Sequence, residues 1–424
     1  MSDIWDKNYY RVGNQDILVE NTPTDEEAIK HRNKIEPWLT SVFQSEHLSL
    51  LLGSGFTRAI AHMCGVSAVN MDRAVFGCEL EEHVNRYAQK SAELCGRGSA
   101  NIEDQIRAAI SLISGLEIIE DSRCNTWKKA LDNILSTFLK SILQTEKGIK
   151  HAIENDGKVE AYEALISFLL SFASRTATRE RLNLFTTNYD RLIEYGCDAI
   201  GLRVIDRFVG SLNPVFRSSR VEVDMHYNPP GIRGEPRYLE GVIRLTKLHG
   251  SIDWMHVGDN TIRRYGIPFG SSSSFFDTQI ELSNSVMIYP NPAKDIETLH
   301  YPYAELFRDF SASICRPNSV LVTYGYGFGD DHINRIIKDM LTIPSTHLVI
   351  ISYNKSEGRI SRFCEKVGRR AQISILLGNH FGNLPDLVKY YLPKPAIDRI
   401  TDKMMDLLAK RGGTPVKENL NIKE

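Results

Sequence analysis

With 424 residues the chain exceeds one ordinary domain, and roughly two or three compact units are expected. Its 42% hydrophobic and 25% charged residues are those of a soluble globular protein with ample core material. A formal net charge of −2 provides no global attraction to nucleic acid or anionic lipid, so direct nucleic-acid binding is not expected. No apolar stretch approaches the roughly 20 residues needed to span a bilayer, so no membrane association is expected.

The first seven residues, Met1 to Lys7, carry acidic side chains and no basic segment leading into an apolar one, so they do not read as a secretory signal. The seven cysteines are odd in number and include no C-x-x-C pair, which points away from a disulfide framework or zinc ribbon and towards a reducing, cytoplasmic setting. Residues 1–45 are polar and mixed and read as an N-terminal arm, with a helix start near Thr24. The apolar run at 48–52 then reads as a buried strand that ends in the turn Gly53-Ser54-Gly55-Phe56-Thr57. Residues 58–180 show helical stripes, such as Trp127, Leu131, Ile134, Leu135 and Phe138, and form an expected helical insertion.

From Leu182 the pattern becomes strand–helix alternation, with strands at 182–185, 242–248, 319–324, 347–353 and 371–377. Helices are expected at 190–200, after 330 and near 357–370. Repeated strand–helix units predict an α/β fold with a doubly wound, mostly parallel Rossmann-like sheet built from 46–57 plus 181–392. The stretches 205–240 and 255–290 read as long loops or hairpins at the sheet edge, and 393–424 as a polar helix and charged tail.

Four segments directly follow expected strands: the Gly53 turn, Thr186-Thr187-Asn188-Tyr189-Asp190, Lys247-Leu248-His249-Gly250, and Gly325-Tyr326-Gly327-Phe328-Gly329. Ligands of open α/β sheets bind beyond the carboxyl ends of strands, so all four are expected to face one crevice. Gly53, Ser54 and Gly55 offer close backbone approach to a diphosphate, with Thr57 as a hydrogen-bond donor and Arg58 as a compensating charge. Neither G-x-G-x-x-G nor a phosphate-binding loop of the G-x-x-x-x-G-K-[ST] type occurs at this turn.

Asn188 can hold a water or sugar hydroxyl without adding charge, and Asp190 is either a helix cap or a ligand contact. His249 is a candidate general base, with Asp253 near enough in sequence to orient it. The Gly325 and Gly327 turn suits the second half of a dinucleotide; Asp330 or Asp331 reads as a cap of the next helix, and His332 as an outward-facing, incidental residue.

The ordered set resembles the sirtuin (silent-information-regulator) family, which reads Gly-Ala-Gly, Thr-Gln-Asn-Ile-Asp, Leu-His-Gly and a Gly-Thr-Ser-like turn at the same landmarks. The Thr-Asn-Tyr-Asp, His-Gly-Ser-Ile-Asp-Trp and Gly-Asp-x-His-Ile-Asn forms are similar to the divergent bacterial branch of NAD-consuming enzymes in anti-phage defence. The resemblance covers the first strand and about 181–392. It implies NAD as substrate, Asn188 and His249 as catalytic residues, and Gly53, Ser54, Gly55, Thr57, Asp190, Gly325 and Gly327 as NAD contacts, with no metal required. It also implies self-association and a HerA-type hexameric ATPase supplied in trans. The Gly-Ile-Pro-Asp-Phe-Arg-like run and four-cysteine module of deacetylating sirtuins are absent, and Gly327 replaces a small hydroxyl residue. NAD glycohydrolysis is therefore the expected activity; a protein deacylase or ADP-ribosyltransferase and a non-catalytic NAD or ADP-ribose sensor are the alternatives.

Overall fold

The computed structural model describes residues 7–13, 15–69, 71–94, 98–174, 180–220, 223–227, 237–257, 261–272, 285–287 and 301–394. Strands β1 (Asn8–Val12) and β2 (Gln15–Val19) form a hairpin that precedes helix α1 (Asp25–Phe43). A capping box starts α1: the Thr24 hydroxyl accepts from the Glu27 amide, and Glu27 accepts from the Thr24 amide at 2.9 Å. Strand β3 (His47–Leu52) leads into α2 (Ser54–Cys64), α3 (Glu81–Leu94), α4 (Ile102–Ile118), α5 (Cys124–Asn155) and α6 (Val159–Ala173). Strand β4 (Leu182–Thr186) and helix α7 (Leu192–Ala199) follow.

Short strands β5 (Arg203–Ile205), β6 (Phe208–Val209), β7 (Val215–Phe216), β8 (His226–Tyr227) and β9 (Arg237–Tyr238) precede β10 (Val242–Lys247). After them come β11 (Gly250–His256), β12 (Ile262–Arg264) and β13 (Ser285–Met287). Helix α8 (Tyr303–Ile314), β14 (Ser319–Tyr324), α9 (Asp331–Met340), β15 (His347–Ser352), α10 (Arg359–Val367) and β16 (Ile373–Leu377) complete the series, before a last helical turn over 384–391.

The main sheet has nine strands in the order β2-β1-β16-β15-β14-β3-β4-β10-β5, and every pairing from β16 to β5 is parallel. The doubly wound α/β expectation holds. A buried parallel strand must be apolar on both faces, and β3 shows how: Leu48, Leu50 and Leu52 enter the core under α1, α2 and α6, while Leu51 points to the opposite core with α8 and α9. Strands β14 and β15 divide in the same way, with Val322 and Val349 on the first face and Leu321 and Leu348 on the second.

Three differences from the sequence reading have physical causes. The segment read as an arm adds β1 and β2 to the sheet edge, antiparallel to β16 and to each other. Helix α7 begins at Leu192 rather than 190, because the Asp190 carboxylate turns back to accept from the Leu192 amide. The stretches read as long loops or hairpins supply β6, β7, β12 and β13, which join β11 in a second sheet, β13-β11-β12-β7-β6, rather than lying unpaired over the sheet edge. Within the 58–180 insertion, α6 packs on the main sheet through Leu165, Phe168 and Phe172, whereas α3, α4 and α5 surround a separate core centred on Trp127. The Ser273-Ser274 stretch and the expected C-terminal helix and tail beyond 394 lie outside the described residues.

Candidate active site

Strand β3 stands between β14 and β4, and β4 stands beside β10, so the four glycine- and amide-bearing segments leave four consecutive parallel strands. The chain runs from β3 to β4 on one side of β3 and later returns to β14 on the other, which makes β3 the switch point at which such sheets open a cleft. There lies a crevice of ≈ 790 Å³, within the range of small-molecule sites. Gly53, Ser54, Thr57, Asn188, Asp190, His249 and Gly327 all line it. Residues 68, 69, 71–73, 99–101 and 103, with Phe138 and Ile142 of α5, contribute the opposite wall, so the helical insertion covers the site.

The two glycine turns are fitted to each other. A Cβ on Gly53 would lie 2.5 Å from the Gly325 oxygen, and one on Gly55 2.6 Å from the Gly325 Cα. Gly325 has φ +62°, and a Cβ added there would lie 2.7 Å from the Gly55 Cα. Gly55 and Gly325 are absent from the crevice lining; they let the two turns touch behind it, and the Gly55 amide donates to the Gly325 oxygen at 3.1 Å. The crevice instead meets the start of α2, whose helix dipole favours an anion, with the exposed Arg58 beside it.

Asn188 is the hub of a buried network. Its Nδ2 donates to the Gly53 oxygen and to Thr57 Oγ1, both at 3.0 Å. A carbonyl only accepts, so the atom facing Gly53 must be the amide nitrogen, and Oδ1 is the acceptor left for a ligand. The Thr57 hydroxyl spends its single proton on Asp190 Oδ2 at 2.8 Å, and Asp190 Oδ1 takes the Leu192 amide. Thr57, read from sequence as a phosphate donor, is thus committed to holding Asn188 and Asp190. The Asn188 amide itself donates to Thr186 Oγ1, whose hydroxyl is anchored on the Leu52 oxygen.

His249 is 4% exposed and stands between two rings, Tyr189 at 6.3 Å and His332 at 5.7 Å between centroids. Asp253 is buried, and its Oδ1 has no hydrogen-bond partner among the described residues. His332 also departs from expectation. It is buried rather than outward, packed edge-on against Phe307 at 4.7 Å and facing His249, because the first turn of α9 is pressed against α8. Asp330 occupies the cap position of α9 without a side-chain capping bond and lines the crevice instead.

Several residues that sequence reasoning passed over hold this geometry. Lys247, buried beneath the strand ends, donates to the Asp190 oxygen and to Glu194 Oε1 at 3.1 Å, tying β10 to the exit of β4. Asn334 braces the last glycine turn: its Nδ2 donates to the Phe328 oxygen at 3.0 Å, and it accepts from the Tyr326 hydroxyl at 3.1 Å. Burial pushes the Tyr326 phenol well above its ordinary range, so it stays a donor. Phe328 is thereby held at φ +52°, a left-handed value uncommon for a bulky residue. Arg359 Nε donates to the Gly327 oxygen at 2.8 Å from α10. On the insertion side, Glu146 of α5 clasps the Arg191 guanidinium and accepts the Arg191 amide at 2.8 Å, while Tyr189 packs against Phe138. The Gly-Asp-x-His-Ile-Asn form that ends in Asn334 was visible in sequence; its pairing with Tyr326 across the turn was not.

Residues 182–371 match the family model described as a SIR2-like domain. The match begins at β4 and therefore includes Asn188, His249, Asp330 and His332, while the Gly53 turn precedes it. Members of that family are NAD-dependent enzymes, and the match supports an NAD-related activity for the crevice. No curated protein matches the chain. Among the described residues no helix is long and apolar enough to cross a membrane.

Proposed function

We propose that the protein is an NAD⁺ glycohydrolase. The observation that carries this reading is the presence of Asn188 and His249, both buried, at neighbouring strand ends on one crevice that also receives the start of α2. The diphosphate of NAD⁺ would lie against the first turn of α2, with Arg58 offsetting its charge. The bond between the nicotinamide nitrogen and ribose C1′ breaks, and its electron pair leaves with neutral nicotinamide. Positive charge develops on the ribose as an oxocarbenium-like state. Asn188 Oδ1 holds the attacking water, and the His249 imidazole takes the proton that the water loses as its oxygen bonds to C1′. ADP-ribose and nicotinamide are the products.

Two sequence features favour hydrolysis over acyl-lysine chemistry: the four-cysteine module and the Gly-Ile-Pro-Asp-Phe-Arg-like run are both absent. We place the activity in the cytoplasm, in an abortive anti-phage response. Unchecked NAD⁺ loss is toxic, which calls for regulated assembly into a homo-oligomer, with a HerA-type hexameric ATPase as the partner. The test is to incubate purified protein with NAD⁺, with and without a co-encoded ATPase, and to follow nicotinamide and ADP-ribose. Asn188→Ala and His249→Ala should each lower turnover by at least about 100-fold. Turnover untouched by both substitutions would sink the mechanism, and a modified protein in place of free ADP-ribose would reassign it to a transferase or deacylase.

A further inference from the structure

Three side chains with metal-ligating atoms meet on one side of the crevice: His249 at the exit of β10, Asp330 at the end of the β14 turn, and His332 in the first turn of α9. One ligand atom from each lies within 4.8 Å of the other two. The convergence joins two separate strand exits, so it does not follow from sequence proximity alone. Phe307 packs edge-on against His332 at 4.7 Å, and the His249 and His332 rings lie 35° from parallel. Asp330, freed from capping α9, brings its carboxylate to the same place. His249 and Asp330 line the crevice, whereas His332 stands behind them.

The geometry points to a binding site for one divalent first-row transition metal of the zinc class, held by His249, His332 and Asp330 with its remaining position open to the crevice. Two imidazoles and one carboxylate make a donor set suited to zinc-class ions, whereas magnesium and calcium take oxygen ligands. Metal–nitrogen and metal–oxygen bonds of about 2.0–2.2 Å put tetrahedral ligand atoms about 3.4 Å apart, a spacing that ligand atoms already within 4.8 Å of one another reach by small side-chain movements. One carboxylate leaves the loaded site with a single positive charge at the crevice wall. Loading also takes up the His249 lone pair that a general base needs. That consequence, a metal-held inactive form released by chelation, rests on the hydrolase reading; the site does not.

The test uses the full chain, stripped with a chelator and titrated with Co²⁺ and then Zn²⁺. The expected result is one equivalent of Co²⁺ giving the visible d–d bands of low-coordinate cobalt, displaced by Zn²⁺. His332→Ala and Asp330→Asn should each weaken binding at least about tenfold. Asp330→Asn keeps side-chain shape, so it serves where His332→Ala does not fold, and thermal unfolding verifies both. Featureless wild-type spectra, or equal affinity in wild type and Asp330→Asn, overturn the site. NAD⁺ turnover is assayed in parallel with and without one equivalent of Zn²⁺. Hydrolysis without metal binding removes the metal site alone; intact Co²⁺ binding with no hydrolysis by the metal-free protein, alone or with the ATPase, removes the hydrolase reading alone.

Discussion

Replacing Thr57 by valine tests whether the Asn188 network organises the site. The hydroxyl accepts from Asn188 Nδ2 at 3.0 Å and donates to Asp190 Oδ2 at 2.8 Å. Valine keeps the shape but strands two buried groups, an amide hydrogen and a carboxylate oxygen. Each orphan costs about 1–3 kcal/mol, which gives a loss of about 2–6 kcal/mol in all. Urea unfolding followed by circular dichroism reads that loss as a lower midpoint at unchanged slope. Without its anchor, Asn188 can turn away from the position in which Oδ1 faces the crevice. A displacement of about 1 Å at a reacting group costs about 100-fold in rate, so NAD⁺ turnover should fall by that order, in kcat more than in KM. Thr57→Ser keeps the hydroxyl and should stay within a few-fold of wild type in rate. The reasoning is refuted if Thr57→Val is as stable and active as wild type. It is equally refuted if serine is as damaging as valine, since the methyl group would then be what matters.

Gly55→Ala should destabilise the sheet by about 1–3 kcal/mol, because its Cβ meets backbone at 2.6 Å rather than a side chain that can move. Gly329→Ala, which would meet nothing within 4 Å, should leave the same urea midpoint unchanged. His347 provides a pH test. Burial lowers its pKa from 6.5 to about 4. The Ser374 hydroxyl, which accepts from Trp38 Nε1, lies 2.9 Å from His347 Nε2. Between about pH 6.5 and 4 the unfolded chain takes up a proton that the folded chain refuses. Stability is therefore full above that window and lost as pH falls through it, at about 1.4 kcal/mol per unit for this group. Urea midpoints at pH 7 and 5 should show the slope in wild type and a shallower one in His347→Gln.

How much was legible in sequence depended on whether the signal was local. The doubly wound sheet and its four loaded strand ends were readable because β3, β4 and β14 are short, largely apolar runs that end in glycine or a small polar residue, and β10 runs into His249-Gly250. The N-terminal hairpin escaped because β1 and β2 are short strands of five residues with mixed polarity at one end of the sheet, and Tyr9 and Tyr10 are both buried, one on each face. Alternation, the usual mark of a strand, is lost there. Site roles failed where the deciding partner was distant in sequence. Thr57 looked like a phosphate donor until Asp190 claimed its proton, and His332 looked exposed because α8, which covers it, starts some 30 residues earlier. The glycines were recognised as a close approach, but the approaching group is the opposite turn.

The helical insertion leaves the sheet at β3 and returns at β4, the strand beside it. For the sheet it is a single closed loop with both ends pinned, and lengthening such a loop is cheap: each doubling adds only about 0.6 kcal/mol of closure entropy. The Glu146–Arg191 clasp and the Tyr189–Phe138 contact fasten its far wall to the strand exits. The insertion can therefore change in length at little cost to the sheet, while the strand-end residues stay in register.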